Sequence, residues 1–337
     1  MTCRFINNQI WNRVWLRFGD LSYAETELCI CRQFTIPFSS LPMRHLFNRF
    51  LPALLKFATQ YFKATVIVLT TALCALTYVL HVEPNWIEIV PVTVDMPHLD
   101  PAFNGTRIVQ ISDTHMDKSW MTSQRLQRIV QVIEQQNPDL VVITGDLIDH
   151  DPVAASPLMI KPLTHLASQY PTFAVLGNHD YWGDPHPIRD ALAKTPVNEL
   201  ANQVHTITRE NAKLHITGVD DVWMKRDRLD LVLDQLPDDG AAILLVHEPD
   251  FADKAAATGR FDLALSGHSH GGQVRIPFKG AAWLPSYARR YPLGQYQVGN
   301  MTQYTNRGIG MSTLNVRFNC RPEITVFTLA TTSRSAA

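Results

Sequence analysis

The sequence has little cysteine and almost no net charge. Five cysteines occur in 337 residues, and only Cys320 lies after residue 104. A disulfide framework and a cysteine-rich zinc site are therefore excluded for the long C-terminal region. The formal charge is −1 at pH 7. Because no cationic field surrounds such a molecule, nucleic acid is not expected as its main partner.

Several sequence patterns are also missing. The chain contains no internal repeat, no low-complexity segment and no Gly-x-Ser-x-Gly nucleophile elbow. Repeat architectures and a serine hydrolase of that type are therefore disfavoured. The hydrophobic content of 46% over 337 residues is that of a globular protein. A chain of this length can bury a full-size core, so we expect one large domain plus an additional segment.

One long apolar run lies near the N-terminus. Residues 64–82 contain no Asp, Glu, Lys or Arg, and the run is close to the ~20 residues needed to span a bilayer. A single transmembrane helix over 63–83 is the favoured prediction, and a buried core helix is the alternative. Basic residues precede the run and acidic residues follow it, so the positive-inside rule predicts an extracytoplasmic C-terminal domain. Residues 1–62 have no assigned role; a basic lead begins at Met43, which is a hypothetical true start.

Strands and helices alternate after a proline-rich tether at 84–104, which contains the first strand. Strands are predicted at 86–94, 107–112, 140–144, 172–176, 204–208, 214–219, 242–246, 263–265, 273–276, 295–298 and 324–329, and helices at 123–136 and 158–168. Residues 140–144 are apolar without alternation, as in a strand buried on both faces. This succession predicts an α/β domain over 105–331 that becomes more antiparallel in its second half.

Metal-binding residue types follow five of these strands. Asp113 and His115 follow the strand at 107–112, and in an extended chain such i and i+2 side chains point the same way. The other strand ends carry Asp146, Asn178 with His179 and Asp180, His247, and His268 with His270. Each motif alone is common in turns. Five in one strand succession are improbable by chance and indicate a polar site at one sheet edge.

These five blocks resemble the calcineurin-like metallophosphoesterase family. The family pattern is Asp-x-His, Gly-Asp-x-x-Asp, Gly-Asn-His-Asp/Glu, a His after a strand, and Gly-His-x-His, and all five blocks occur in order from Asp113 to His270. The resemblance implies a four-layer sandwich of two mixed β-sheets flanked by helices, and a metal-dependent phosphoesterase activity. It also implies two ion sites, one formed by Asp113, His115, Asp146 and His270, the other by Asp146, Asn178, His247 and His268.

The resemblance further implies a mechanism. Two divalent ions about 3.5 to 4 Å apart need a shared anionic ligand, here Asp146, and together they would acidify a bridging water to a hydroxide that attacks phosphorus. His179 would then act as acid or hydrogen-bond donor at the leaving oxygen, with Asp180 fixing its tautomer. Asp149 is expected to orient a ligand from behind. The nitrogen and oxygen ligand set suits Mn, Fe or Zn without distinguishing them.

The surroundings of this site suggest a substrate class. Residues 278–310 carry several aromatic residues with Arg289 and Arg290, and either form a lid presenting these cations to phosphate or pack as a meander with a solvated Arg pair. Segments 271–277 and 306–310 look like the family branch containing membrane-tethered bacterial phosphodiesterases and hydrolases of lipid-linked pyrophosphates. A phospholipid or lipid-linked phosphoester is therefore the substrate hypothesis. A membrane-tethered metal-binding scaffold or sensor is the alternative, which intact His179 and Asp180 disfavour.

Overall fold

The computed structural model describes the backbone of residues 43–332 and the side chains of residues 47–332. Expectations for residues 1–42 lie outside this range. The described residues divide into two compact units, with the boundary between Thr65 and Val66. Helix α1, Met43–Thr77, begins in the first unit and ends in the second. A π-helical turn, Tyr78–Val82, and a 3-10 turn, Glu83–Asn85, follow it. Residues 47–85 are long and apolar enough to cross a membrane by length and composition.

The remaining elements follow in one succession of strands and helices. The strands are β1 Glu88–Met96, β2 Arg107–Ile111, β3 Leu140–Thr144, β4 Thr172–Val175, β5 Asn198–Glu199, β6 Gln203–Arg209, β7 Ala212–Gly218, β8 Ala241–Leu245, β9 Leu263–Ser266, β10 Arg275–Ile276, β11 Gly280–Ala281, β12 Gly294–Val298, β13 Met301–Thr305 and β14 Glu323–Thr331. The helices after α1 are α2 Ser123–Glu134, α3 Pro152–Ala167, α4 Asn178–Trp182, α5 His186–Leu192, α6 Leu229–Gln235 and α7 Ala252–Ala256.

The strands form two mixed six-stranded sheets. The first has the order β1-β14-β2-β3-β4-β5, in which only the β14–β2 pair is antiparallel. The second has the order β12-β13-β9-β8-β7-β6, with antiparallel pairs at its two edges and parallel pairs between them. The expectation of a more antiparallel second half is therefore wrong for the centre of this sheet. It holds for the edge pairs of this sheet, for the small β10–β11 hairpin and for the β14–β2 pair of the first sheet.

Three hydrophobic clusters define four layers. One cluster lies between the sheets, where Leu140 and Val142 of β3 meet Ile243 and Leu245 of β8. The second covers the outer face of the first sheet with α2, α3 and α5, and it includes Val141. The third covers the outer face of the second sheet with α6 and α7. Because alternate side chains of β3 enter different clusters, the strand is buried on both faces as predicted, and the four-layer sandwich is confirmed.

Two differences from the predicted elements have local causes. Helix α3 begins six residues before its predicted start, because the Asp151 side chain accepts a hydrogen bond from Ala154 and Pro152 occupies the first turn. Pro157 and Pro162 lie inside this helix and hide its sequence pattern. Strand β13 was not predicted, although all its residues are buried and it pairs with β9. Its polar residues Thr302 and Gln303 interrupt the apolar pattern by which a buried strand is predicted from the sequence.

Candidate metal centre

Five loops meet where strands from both sheets end. The loop after β2 pairs with the loop after β3, since the Asp113 and His115 amides donate to the carbonyls of Gly145 and Asp146, both at 3.0 Å. The loop after β9 pairs with the loop after β8 in the same way, from Gly267 to His247. These loops bring together side chains that are up to 157 positions apart in sequence, the separation of Asp113 and His270.

The backbone of the site is unusual in five places. Positive φ angles occur at residues named in the sequence motifs: Asp113 (51°), His115 (46°), Asp146 (51°), His268 (69°) and His270 (50°). Left-handed backbone in non-glycine residues is strained and clusters at functional sites. The extended-chain argument for Asp113 and His115 is therefore wrong, although their side chains do converge. Curved backbone, held by the hydrogen bonds between loops, brings them together instead.

The first group of candidate ligands comprises Asp113, His115, Asp146 and His270, all buried. The Nε2 atom of His115 lies 3.5 Å from Asp146 Oδ2 and 3.0 Å from His270 Nε2. The same His270 nitrogen lies 3.3 Å from Asp113 Oδ1. One cation could therefore contact all four side chains. These are the four residues that the family resemblance assigned to one ion.

The second group comprises Asp146, His247 and His268. His247 Nε2 lies 3.2 Å from Asp146 Oδ2 and 3.2 Å from His268 Nδ1. The other nitrogen of each imidazole faces a backbone carbonyl, that of Thr144 at 2.7 Å and that of Ser286 at 2.8 Å. These carbonyls accept from His247 Nδ1 and His268 Nε2, so His247 Nε2 and His268 Nδ1 are the nitrogens that face the centre. Asp146 belongs to both groups.

The charges in the cluster favour a cation. Burial lowers the pKa of His268 to about 3, helped by the charge of His247, and burial together with His115 holds the pKa of His270 well below its ordinary value. Both imidazoles are therefore neutral and can act as ligands. Burial alone would raise the pKa of Asp146, but the charges of His247 and His179 hold it well below its usual range. Asp146 is thus an anion inside the protein, and a bound metal ion would compensate this charge.

Asn178 gives a further test of whether the residues of the cluster suit a bound metal ion. Its Oδ1 atom is buried and accepts no hydrogen bond from any residue in the described part of the chain. A buried acceptor without a partner costs free energy, whereas an amide oxygen facing a divalent ion is satisfied. Asn178 lines the same cavity as Asp146 and His268. The residues present therefore fit divalent metal binding by nitrogen and oxygen ligands.

Comparison with known proteins identifies the family. A calcineurin-like phosphoesterase model matches residues 106–272. The chain is 36% identical over 259 residues to the uncharacterized metallophosphoesterase YkuE of Bacillus subtilis, covering 76% of this chain and 90% of that one. It belongs to the calcineurin-like phosphoesterase family. Together with the buried Asp and His cluster, this membership makes the chain a metal-dependent phosphoester hydrolase.

Two further relatives of this metallophosphoesterase bear informative names. The phosphodiesterase YaeI of Escherichia coli is 30% identical over 80% of this chain and 98% of that protein. A transmembrane protein with metallophosphoesterase domain from Danio rerio is 31% identical over 80% of this chain and 63% of its own length. The similarity to YkuE and YaeI therefore extends over nearly all of both bacterial relatives.

His179 lies beside the ligands of this metallophosphoesterase and contacts Asp149. Its Nδ1 atom is 3.5 Å from Asp149 Oδ1, and its Nε2 atom is 3.3 Å from Ser312 Oγ. The Asp149 carboxylate also lies 3.3 Å from His115 Nδ1. Burial would lower the pKa of His179, but the charges of Asp146 and Asp149 outweigh it and raise the pKa. Asp149 therefore stands behind both a candidate ligand and the candidate acid, which supports its predicted orienting role.

Asp180 does not contact His179, contrary to the expectation that it fixes the His179 tautomer. Its carboxylate accepts hydrogen bonds from the backbone amides of Gly177 (2.9 Å), Leu147 (3.1 Å) and Ile148 (3.0 Å). The side chain is fully buried and ties the loop after β4 to the loop after β3. Asp180 thus holds the backbone that carries the site, and the carboxylate that lies near His179 Nδ1 is that of Asp149, at 3.5 Å.

A cavity of about 510 Å³ opens beside the cluster. Asp146, Asn178 and His179 form its polar side, and Trp182, Trp223 and Trp283 contribute aromatic walls. Neither Arg289 nor Arg290 lines it, so the structure does not support their predicted contact with substrate. The Asp250 carboxylate accepts from both backbone amides, and the Arg290 guanidinium pairs with Asp253. Both arginine side chains are exposed.

The segment 278–310 divides between its two interpretations. Trp283 and Pro285 line the cavity, as the lid interpretation requires. Tyr291 and Tyr296 pack against each other, with ring centroids 5.2 Å apart, at the outer cluster of the second sheet, as the packing interpretation requires. In the first part of this segment an aromatic residue therefore lines the cavity, whereas the later tyrosines pack in a hydrophobic cluster.

Three residues near the site were missed from the sequence. Trp182 stacks on His179 with ring centroids 3.8 Å apart, Trp223 meets His268 edge-on at 5.5 Å, and Ser312 contacts His179. Trp182 follows the Gly-Asn-His-Asp motif by two positions, which is a local signal. Trp223 and Ser312 lie in loops without a motif, so only tertiary structure reveals them.

Proposed function

We propose that this chain is a membrane-anchored phosphohydrolase with two divalent ions, Mn, Fe or Zn, that cleaves a phosphoester or pyrophosphate bond of a phospholipid or lipid-linked substrate. The arrangement around Asp146 carries the proposal, because this buried carboxylate belongs to two groups of candidate ligands at once. Asp113, His115, Asp146 and His270 would hold one ion, and Asp146, Asn178, His247 and His268 the other. When bound, such a pair supplies an acidified water and positive charge for the phosphoryl oxygens.

The protein's own groups would prepare the leaving-group step. The Asp149 carboxylate faces Nδ1 of His179 and favours a proton on that nitrogen. Nε2 is then the atom that meets substrate, since His179 lines the cavity and Nε2 points toward Ser312 on its wall. A substrate oxygen that takes the place of Ser312 Oγ would receive a hydrogen bond or proton from Nε2 of protonated His179.

Membrane anchoring rests on α1 and on one relative. Residues 47–85 are long and apolar enough to cross a membrane, and the Danio rerio relative is named as a transmembrane protein. Arg49, Lys56 and Lys63 of α1 all precede the apolar run at residues 64–82. We therefore place its amino end in the cytoplasm and the catalytic domain outside it. Labelling of cysteines by an impermeant reagent in intact cells tests on which side of the membrane the catalytic domain lies.

The full chain, solubilised in detergent and loaded with Mn²⁺, tests the reaction. We expect hydrolysis of bis-p-nitrophenyl phosphate and of a phospholipid or nucleotide-lipid pyrophosphate, with two ions per chain by elemental analysis. Activity confined to the soluble ester would contradict the lipid-linked substrate, and one ion per chain would contradict the dinuclear centre.

Substitution of His179 separates an enzyme from a scaffold or sensor. His179→Ala should lower the rate by roughly 10²- to 10⁴-fold, the usual effect of removing a general acid, while metal content is kept. His165→Ala is the matched control, because His165 is an exposed histidine on α3 that pairs with Glu134. A parent protein that binds ions but turns over no phosphoester would favour the scaffold.

A further inference from the structure

A group of exposed apolar side chains lies around the mouth of the cavity. We call it the apolar collar and define it by five residues with their exposed fractions: Ile276 (44%), Phe278 (110%), Trp283 (69%), Leu314 (64%) and Phe318 (37%). Large apolar side chains that are exposed together indicate an interaction surface. We therefore expect the collar to bind an apolar partner.

The collar is continuous with the cavity wall. Trp283 and Leu314 line the cavity directly. Ile276 and Phe278 lie on the β10–β11 hairpin, which is flanked in sequence by Val274 and Ala282, two further cavity residues. Phe278 stands in the connection of this hairpin, at φ 65°, next to the exposed Lys279. A partner that covers the collar would therefore meet the cavity at its opening.

Backbone hydrogen bonds join the collar to the end of the apolar helix. The Arg317 amide donates to the carbonyl of Val79, in the π-helical turn that follows α1, at 3.0 Å. The next residue, Phe318, exchanges backbone hydrogen bonds with the base of the hairpin, from its amide to Gln273 (3.1 Å) and from Arg275 to its carbonyl (2.8 Å). The helix end, the 312–318 loop and the hairpin are therefore one connected unit.

The residues just after the helix are of the type found at membrane surfaces. Trp86 is half exposed, and the Arg321 guanidinium lies 3.6 Å from the centre of its ring. Glu83 is buried, and its carboxylate accepts from the Cys320 amide, which fixes the helix end to the domain. Tryptophan with a neighbouring cation is enriched where a membrane helix meets the headgroups.

We propose that the apolar collar docks on the bilayer in which α1 is anchored, so that the cavity opens toward the membrane surface and takes its phosphoester from there. The inference rests on the proposed function for the anchor and the reaction. The partner is a lipid bilayer because Arg317, next to Phe318 of the collar, is hydrogen-bonded to the turn that ends a helix apolar enough to cross one. Phe278 and Ile276 would enter the acyl boundary, while Lys279 and Arg321 meet lipid phosphates.

Site-specific fluorescence tests the docking without relying on catalysis. The full chain, with Cys3, Cys29, Cys31 and Cys74 replaced by serine and buried Cys320 kept, receives Phe278→Cys and an environment-sensitive NBD label. Leu231→Cys is the matched control, because Leu231 is also exposed (40%) but lies on α6. In nanodiscs of phosphatidylcholine and phosphatidylglycerol, the label at 278 should shift to the blue and be quenched by acyl-chain nitroxide lipids, and the label at 231 should not.

Two outcomes would overturn the docking. One is a label at 278 that behaves like the label at 231. The other is a blue shift at 278 that nitroxide lipids do not quench but that grows with protein concentration, since a second copy of the chain would then cover the collar.

A second variant connects docking to substrate access. Phe278→Ser should leave turnover of bis-p-nitrophenyl phosphate unchanged, because Phe278 does not line the cavity. Turnover of a phospholipid presented in vesicles should fall roughly tenfold, since burial of one aromatic side chain is worth at least that factor in binding. Equal turnover of vesicle substrate by parent and variant would contradict the inference. A parent inactive on every ester would instead sink the proposed function and leave the fluorescence result standing.

Discussion

The Asp149 carboxylate lies 3.5 Å from Nδ1 of His179, where the motif order had suggested Asp180. The same carboxylate oxygen, Oδ1, lies 3.3 Å from Nδ1 of His115. Asp149 therefore supports a candidate acid and a candidate ligand with one side chain. Groups behind metal-ligating histidines set their tautomer and orientation, so the charge at this position should matter for both metal affinity and rate.

Asp149→Asn should lower metal affinity and turnover together, by about 10- to 100-fold in metal affinity as for other residues behind metal ligands. The amide keeps the shape but removes the negative charge that faces both imidazoles. Metal titration and kcat on bis-p-nitrophenyl phosphate measure the two effects. Asp230→Asn, at an exposed carboxylate paired with Arg228, controls for the loss of one charge. Parental metal affinity in the Asp149 variant would refute the supporting role.

Asp180→Asn should act on stability more than on chemistry. The carboxylate accepts from three backbone amides, whereas an asparagine turns its own NH₂ group toward at least one of them. Leaving a buried donor unpaired costs about 1–3 kcal/mol, to be measured as the free energy of unfolding in urea. The folded variant should keep kcat near that of the parent. A large loss of kcat with unchanged stability would restore Asp180 to the chemistry.

The sequence did not determine whether the carboxylate of Asp149 or that of Asp180 lies beside His179. The strand-end motifs predicted which residue types converge, because the fold brings strand ends of both sheets to one edge. The direction of each side chain depends on local backbone instead. Asp180 is the third residue of α4 and turns back to the Gly177 amide, as such positions at helix starts often do. With only five residues, α4 shows no periodicity that would predict it.

The neighbourhood of the cavity was still less predictable. Trp223 and Ser312 reach the site from loops after β7 and β13, and no motif marks either one. Their positions depend on the way the two sheets pack, which alternation of polar and apolar residues does not determine. For Arg289 and Arg290, the sequence predicted a contact with substrate that the structure does not support. The Arg290 guanidinium pairs with Asp253 within the protein instead.

Removal of metal should lower thermal stability. Two carboxyl groups, those of Asp113 and Asp146, are buried at the centre of the cluster, and bound ions stabilise only the folded chain. At a free ion concentration 100 times the dissociation constant, one site contributes about 2.7 kcal/mol. Chelation with EDTA should therefore reduce the unfolding midpoint seen by scanning calorimetry, and added Mn²⁺ should restore it. His247→Gln should weaken this response, and the control His165→Ala should keep it. An unchanged midpoint after verified loss of ions would exclude a buried site.

Gly145 should tolerate no side chain. Its φ is +92°, and a Cβ would overlap the His247 imidazole. Gly145→Ala should therefore displace a candidate ligand of the second ion and add backbone strain of about 1–2 kcal/mol. Gly105→Ala separates the two effects, because Gly105 has φ +81° and a Cβ there would have no neighbour within 4 Å. Both variants should lose stability in urea, but only Gly145→Ala should also bind fewer ions by elemental analysis. Full ion content in the Gly145 variant would place His247 outside the metal centre.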